Sequence, residues 1–263
     1  MDKRKKNIVI LLIGAIILFS GFTKVKKSEK DLNRPVFKNT LGTKCINPVP
    51  VLMYHSVSKD KNGIFNISKD NFEKQMRYLK DNGYNTISLK DAYEIMSKKM
   101  NFSKKSIIIT FDDGYKDNYE NAYPILKKYK LKATIFMVTD FTKHSSYYLN
   151  EDELRDLDRN NIDIQSHTTR HQKLDKLTFG EQFHILNKSK ICLEKILNKR
   201  VEFIAYPFGR YNEDTIRAAE KAGYLMGVTT NLGYIKDGEN YYKIHRTCVP
   251  GFFNLDMFKM IIN

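Results

Sequence analysis

Cysteine is scarce in this sequence and tryptophan is absent. The three cysteines, Cys45, Cys192 and Cys248, lie far apart and form no Cys-x-x-Cys pair. That spacing excludes a zinc knuckle and a dense disulfide framework, while a single disulfide stays open. The chain also lacks RNP-type, zinc-finger and helix-turn-helix patterns and has no internal repeat. We therefore expect no nucleic acid among its partners.

Apolar residues, by contrast, are plentiful enough for a large core. The chain has 263 residues, 41% of them hydrophobic, with 16 Tyr and 16 Phe, which favours a packed globular fold over disorder. Lys and Arg number 45 against 30 Asp and Glu, a net charge of +15. This charge suits contact with anionic polymers or a membrane surface, although a lysine-rich solvated surface is the simpler interpretation.

The first 48 residues resemble an export segment followed by a tether. Four basic residues at positions 3–6 precede an apolar run from Ile8 to Phe22, which is typical of a secretory signal. The run is short for a membrane span and no clear Ala-x-Ala cleavage site follows it, so a cleaved peptide and an uncleaved anchor both stay open. We predict a signal peptide or signal anchor over 1–23, a polar linker over 24–48 and a catalytic domain over 49–263. The domain would lie outside the cytoplasm, secreted or held at the membrane through the N-terminal segment.

Short apolar runs alternate with helical patterns along the predicted domain. Predicted strands cover 49–54, 85–87, 106–111, 133–138, 162–165, 201–206, 225–228 and 242–245; predicted helices cover 68–80, 89–100, 118–129, 151–160, 178–197 and 213–222. Seven or eight βα repeats predict an α/β fold, a distorted or incomplete (β/α) barrel with seven to eight parallel strands. A doubly wound open sheet is the alternative, and in either fold residues at strand C-termini line the site.

Polar residues occupy many of these strand ends. The central strand ends in Asp112-Asp113-Gly114, which places two carboxyls at the predicted site, although acidic pairs before glycine also form ordinary turns. His167 and His171 can reach one ion if the segment after their strand makes a helical turn. With one Asp they form a two-histidine, one-carboxylate set that leaves a coordination position open, as hydrolytic metal sites require. The other strand-end candidates are His55, Tyr206, Pro207, Phe208, His245 and Arg246.

A family resemblance is carried by TFDDGY at 110–115 and SHTTRH at 166–171. In order and spacing these segments resemble the first two motifs of the polysaccharide deacetylases, carbohydrate esterase family 4. The resemblance covers roughly 49–263. It implies a distorted (β/α) barrel, a divalent metal that is usually zinc, and the removal of acetyl groups from sugar polymers.

The resemblance also implies roles for single residues. By motif position Asp112 is the general base that takes a proton from the attacking water, and Asp113, His167 and His171 are the metal ligands. The third motif implies that the Phe208 N–H holds the oxyanion. Tyr206 and Pro207 would then line the substrate groove, and Arg246 is assigned to the same substrate and oxyanion group. The general acid is either His55 or His245, and His55 is favoured because His245 could be a plain strand-end residue.

Two departures from the family pattern narrow the predicted substrate. Ala205 stands where the third motif often has an arginine that orients the base, and the tryptophan of the fourth motif is missing. The chain instead resembles the branch that acts on poly-β-1,6-N-acetylglucosamine, through PVLMYH at 50–55 and YPFG at 206–209. We expect a metal-dependent N-deacetylase of this exported biofilm polymer. The alternatives are a deacetylase of peptidoglycan or another β-1,4 polysaccharide, and a catalytically inactive carbohydrate-binding module.

Overall fold

Seven parallel strands close into a barrel. In order around it they are β1 (Val49–Tyr54), β11 (Ile244–Cys248), β9 (Met226–Leu232), β8 (Phe203–Ala205), β7 (Ile162–Ser166), β6 (Ala133–Met137) and β5 (Ser106–Phe111). The barrel closes where β1 pairs with β5, from Val51 opposite Ile108 to Tyr54 opposite Phe111. The closed ring confirms the predicted barrel and excludes the open doubly wound sheet.

The structure is a computed structural model that describes residues 47–58, 64–144, 146–236 and 238–262. The predicted signal segment and nearly all of the predicted linker lie outside these ranges, so the proposed domain boundaries stay predictions. Within the described ranges, no helix has the length and apolar character needed to cross a membrane.

Seven α-helices and four short strands surround the barrel in the part of the chain that the structure describes. The helices are α1 (Lys69–Asp81), α2 (Leu89–Ser97), α3 (Tyr123–Tyr129), α4 (Glu151–Arg159), α5 (Phe179–Leu197), α6 (Glu213–Lys221) and α7 (Leu255–Ile262). The short strands are β2 (Ser56–Ser58), β3 (Asn66–Ser68), β4 (Asn85–Thr86) and β10 (Tyr234–Ile235). Strand β2 pairs only with β3, in a parallel ribbon beside the C-terminal end of β1.

The barrel strands form where the sequence is continuously apolar. Every residue of β1, β5 and β6 is buried. Parallel strands covered by side chains inside and by helices outside need apolar residues on both faces, which explains why their limits are easy to predict. Alternate residues, including Val49, Val51, Ile108 and Ile244, pack in one cluster with the inward side chains of the other strands.

The helix predicted over 118–129 is broken in the structure. Residues Asn118–Ala122 form a π-helical turn, closed by a bond from the Tyr123 N–H to the Asn118 carbonyl, and α3 begins only at Tyr123. Pro124 explains the change, because its ring has no N–H and clashes with the carbonyl four residues earlier. The extra residue of the π-turn widens the backbone at that point. Strands β2, β3 and β10 and helix α7 were not predicted, since segments this short show little periodicity.

Candidate active site

The chain turns sharply where β5 ends. The Asp112 N–H still bonds to the Tyr54 carbonyl at 3.0 Å and continues the sheet, but Asp113 and Gly114 both adopt left-handed backbone angles, with φ of 74° and 77°. A Cβ on Gly114 would lie 2.0 Å from the Met137 sulfur, so any other residue would displace Met137 and strain the left-handed backbone. The turn therefore starts at Asp113 itself, and it directs two adjacent carboxyls to the same mouth of the barrel.

Asp112 is held by a buried arginine from the last strand. Arg246 donates from Nη1 to Oδ1 and from Nη2 to Oδ2 of Asp112, each at 2.7 Å, and it also bonds to Thr110 and to the Thr229 carbonyl. Burial opposes ionisation of Asp112, but the charge and hydrogen bonds of Arg246 outweigh it and hold the pKa of this carboxyl below its usual value. Its orientation is fixed as well, because the paired guanidinium bonds leave the carboxylate one geometry.

This contact corrects the assignment of Arg246 to the substrate and oxyanion group. Its side chain is completely buried and its donors are directed at protein groups. Arg246 supplies from β11 the arginine that the third motif lacks at Ala205. An inward-facing arginine at a strand end, in a chain without that motif arginine, is the signal that could have identified it.

Asp113, His167 and His171 converge on one point. Their candidate ligand atoms all lie within 4.8 Å of one another, with Asp113 Oδ1 at 3.4 Å from His167 Nε2 and 3.3 Å from His171 Nε2. The His167 Nδ1 lies 2.8 Å from the Ala205 carbonyl, which can only accept, so Nδ1 carries a proton and, in the neutral ring, Nε2 presents a lone pair. Burial, with the neighbouring His167, lowers the pKa of His171 to about 4, which keeps that ring neutral near pH 7.

The three donors fit a divalent cation. Asp113 Oδ1 is buried and has no hydrogen-bond partner among the described residues. Two imidazole lone pairs and an unpaired carboxylate oxygen directed at one point repel one another unless a cation lies between them. Two nitrogens and one oxygen are ligands that zinc and similar ions accept, and they leave coordination positions free.

The segment between the two histidines differs from the helical turn assumed for it. It is a non-helical turn in which Thr168 and His171 have φ of 69° and 56°, and the His171 N–H bonds to Thr168 Oγ1 at 3.1 Å. Left-handed geometry is unfavourable for a β-branched threonine, and such strain is concentrated at functional sites. The turn nevertheless brings the two imidazole centroids to 4.9 Å.

The two candidates for the general acid are separated by the barrel wall. His55 follows β1 with the same inward parity as Val49 and Val51. Burial lowers the pKa of His55, and the nearby charges of Asp112 and Asp113 oppose that effect only in part. His245 lies between Ile244 and Arg246, which both face inward, so it points outward, where its Nδ1 contacts the Glu239 carboxylate. The structure brings His55 to the carboxylate pair and leaves His245 outside the site.

Of the three residues after β8 that were assigned to the substrate group, Phe208 alone is exposed. Phe208, 48% exposed and with φ of 58°, packs its ring 4.3 Å from that of His171. Tyr206 and Pro207 are buried, which corrects their assignment to the groove. The N–H groups of Gly209 and Arg210 bond to carbonyls of the same turn, so neither is directed at a ligand.

This combination of fold and site is that of a (β/α)-barrel hydrolase. Residues 99–227 match the family model described as polysaccharide deacetylase. The Bacillus subtilis protein YxkH, named for the same family, is 42% identical over 204 residues, which cover 77% of this chain and 72% of that protein. The poly-beta-1,6-N-acetyl-D-glucosamine N-deacetylase of Staphylococcus aureus strain N315 is 32% identical over 212 residues, or 75% and 72% of the two chains.

A solved structure agrees with these matches. The Streptococcus pyogenes deacetylase PplD, determined in complex with acetate, superposes with a TM-score of 0.77 at 30% identity and covers 83% of this chain and 99% of its own. The chain belongs to the polysaccharide deacetylase family, and it is a polysaccharide N-deacetylase.

Proposed function

We propose that this protein is a metal-dependent hydrolase that removes N-acetyl groups from poly-β-1,6-N-acetylglucosamine outside the cytoplasm. The unpaired Asp113 oxygen facing two histidine lone pairs, next to a carboxylate fixed by arginine, is the observation that carries the chemistry. The Staphylococcus aureus relative, named for this polymer, supports the substrate. The basic and apolar residues at the N-terminus support export.

Asp113, His167 and His171 would hold the ion, for which we propose zinc because two imidazoles and one carboxylate suit it. When bound, the ion polarises the amide carbonyl and lowers the pKa of a coordinated water towards ~7. Asp112 is the proposed general base. Each of its oxygens accepts one bond from Arg246 and keeps a further lone pair, so the carboxylate can take a proton from the attacking water without losing its orientation.

The departing amine needs a proton when the carbon–nitrogen bond breaks. His55 is the proposed donor, because Tyr54 pairs with Phe111 and the residues that follow them, His55 and Asp112, therefore lie on neighbouring strands at the same end of the barrel. The backbone N–H of Phe208 is the proposed oxyanion donor, since those of the next two residues are already bonded within the turn. Deacetylation would leave free amines on the polymer, and such cations can bind anionic groups at the cell surface.

Acetate release by the purified full-length protein tests this proposal. We would supply β-1,6-linked and β-1,4-linked N-acetylglucosamine oligomers separately, before chelation, after chelation and after addition of Zn²⁺, with Asp112→Asn as the inactive control. We expect release from the β-1,6 oligomer that chelation abolishes and Zn²⁺ restores. Release from the β-1,4 oligomer alone would refute the proposed polymer, and release that chelation does not affect would refute the proposed metal.

A further inference from the structure

Arg210 and Asp175 join two segments at the mouth of the barrel. Arg210 ends the Phe208 turn, residues 206–210 after β8, and Asp175 lies in the histidine loop, residues 167–178 after β7. Arg210 donates from Nε at 3.0 Å and from Nη2 at 2.8 Å to Oδ2 of Asp175. The Oδ1 atom of Asp175 is buried and has no hydrogen-bond partner among the described residues, so the bonds that hold this carboxylate there come from Arg210.

The same two segments are also joined where β8 ends. The Ala205 carbonyl lies 2.8 Å from Nδ1 of His167, so the start of the Phe208 turn is fixed to a proposed metal ligand. The ion pair between Arg210 and Asp175 fixes the other end of the turn to the histidine loop. A short turn held at both ends against the same neighbour has little freedom to open locally.

Between these two contacts the backbone is strained. Phe208 and Gly209 have φ of 58° and 64°. Left-handed angles are unfavourable for a residue with a Cβ, so Phe208 keeps this conformation only because the surrounding contacts impose it. Gly209 backs onto β9, where an added Cβ would collide with the Thr230 hydroxyl. The Phe208 ring contacts the histidine loop, with its centroid 4.3 Å from that of His171 and 5.3 Å from Nζ of Lys173.

The position of this turn decides where the Phe208 N–H lies. Within the turn, the Gly209 N–H bonds to the Tyr206 carbonyl and the Arg210 N–H to the Pro207 carbonyl, each at 2.9 Å. The Phe208 N–H is the proposed oxyanion donor, and such a donor acts only when it is already at hydrogen-bond distance from the place where the charge develops. A contact that stops the turn from moving away from the histidine loop therefore serves the reaction.

We propose that Asp175 and Arg210 are positioning residues, whose ion pair holds the Phe208 turn against the histidine loop and keeps the Phe208 N–H within reach of the oxyanion. This inference rests on the proposed function and deepens it, because it assigns the pair to the transition state and not to substrate binding. The oxyanion exists only after water has attacked the amide carbon, so a loosened turn should lower kcat and leave KM little changed.

The test compares Arg210→Met, Asp175→Ala and their double variant with Lys199→Met in the full-length protein. Lys199 is a matched control, since its ion pair with Asp158 has nearly the same side-chain exposure, 26% and 20% against 23% and 19%, at the opposite end of the barrel. Loss of a whole oxyanion donor costs about 10²–10³ in kcat, and a loosened turn keeps part of that interaction, so each single variant should lower kcat about tenfold with KM and metal content unchanged. The double variant should be no slower than the single ones, because all three remove one contact. Lys199→Met should keep the kcat of the wild type.

Arg210→Lys adds a conservative variant. Both donors of Arg210 bond to one oxygen of Asp175, so a lysine ammonium can serve the same acceptor and should restore most of the wild-type kcat. The inference would be overturned by a normal kcat in Arg210→Met, by a lysine variant as slow as the methionine variant, or by an equal loss in Lys199→Met. A double variant that loses the product of the two single losses, or a single variant that loses its metal, would overturn it as well.

Hydrogen exchange separates this inference from the proposed function, because it needs no turnover. The amides of residues 209 and 210 are bonded within the turn, so they should exchange about tenfold faster in Arg210→Met than in the wild type or in Lys199→Met. Faster exchange in a protein whose wild type releases no acetate would keep the positioning contact and refute the deacetylation. Acetate release by the wild type, with kcat and exchange unaffected by Arg210→Met, would refute the positioning contact alone.

Discussion

Both ends of the barrel hold charged groups, but the charges at the N-terminal end are paired within the protein, whereas a carboxylate oxygen at the C-terminal end is unpaired among the described residues. At the N-terminal end of the strands, Lys199 lies between Asp158 and Asp163, with its Nζ 2.6 Å from the Asp163 carboxylate. Gln165 donates to both oxygens of Asp163 at 3.0 Å, and its carbonyl accepts two backbone N–H groups at the start of β8. A cavity of about 520 Å³ opens here, and three of the charged residues that line it, Lys199, Asp158 and Asp163, are bonded to one another.

At the C-terminal end a buried polar atom lacks a hydrogen bond within the described part of the chain, and several residues have strained backbone angles. Asp113 has a buried oxygen without a donor among the described residues, and four non-glycine residues of this end, Asp113, Thr168, His171 and Phe208, have left-handed backbones. Buried charge occurs at both ends, and so do left-handed residues, because Lys105, Lys130 and Asn161 have positive φ just before strands at the N-terminal end; neither feature identifies the site. The unpaired Asp113 oxygen that faces two histidine nitrogens does identify it, because a buried carboxylate oxygen is normally bonded.

Replacing the proposed base, Asp112, should lower the activity more than any other change to either end of the barrel. Asp112→Asn keeps the shape of the side chain but cannot take a proton from water. We expect kcat for acetate release to fall about 10²–10⁴-fold, while the metal content, measured by atomic absorption, stays that of the wild type. A variant with normal turnover would mean that Asp112 is a structural partner of Arg246 only.

Replacing one basic side chain at each end, Arg246 or Lys199, tests whether both ends contribute to stability. Arg246→Met leaves the buried Asp112 carboxylate without its partner. We therefore expect the free energy of unfolding, measured in urea, to fall by about 3–5 kcal/mol, with activity lost. Lys199→Met should cost less, about 1–3 kcal/mol, because both of its partners stay partly hydrated and Asp163 stays bonded to Gln165. Activity per folded molecule should not change in Lys199→Met; a loss there would contradict the division between the ends.

A pair of histidine variants sharpens the distinction between the inside and the outside of the barrel. His55→Ala should lower kcat at least about a hundredfold with metal content unchanged, because the amine then departs without a proton donor. His245→Ala should keep kcat within about twofold, since its ring lies outside the barrel beside Glu239. Equal losses in the two variants would assign the proton to neither residue.

The smallest effect is expected from the turn that holds His55. Asn118→Ala removes the amide that bonds to the His55 carbonyl, and we expect kcat to fall about tenfold, the equivalent of one hydrogen bond, with KM little changed. Asn121→Ala, which frees the Val57 carbonyl two residues farther along, is the matched control and should have a weaker effect on kcat. The reverse order would show that His55 is positioned by other contacts.

Prediction from the sequence succeeded where a pattern is local. The predicted limits of β1 and β5 agree with the structure to the residue, because strands buried on both faces are continuous apolar runs. The motif histidines and Asp113 do meet, although through a strained turn and not through a helix. The sequence could not show where the side chains of Arg246, Tyr206 and His245 point, because their directions depend on how distant strands pair.

The amino-acid sequence by itself determined the barrel class, the family and the carboxylate and histidine cluster, since these depend on periodicity and on motifs of a few residues. Only the tertiary structure decided that Arg246 aligns Asp112, a contact between residues 134 positions apart, and that Phe208 packs against His171. Closing the ring of strands sets those distances, and no local segment contains that information.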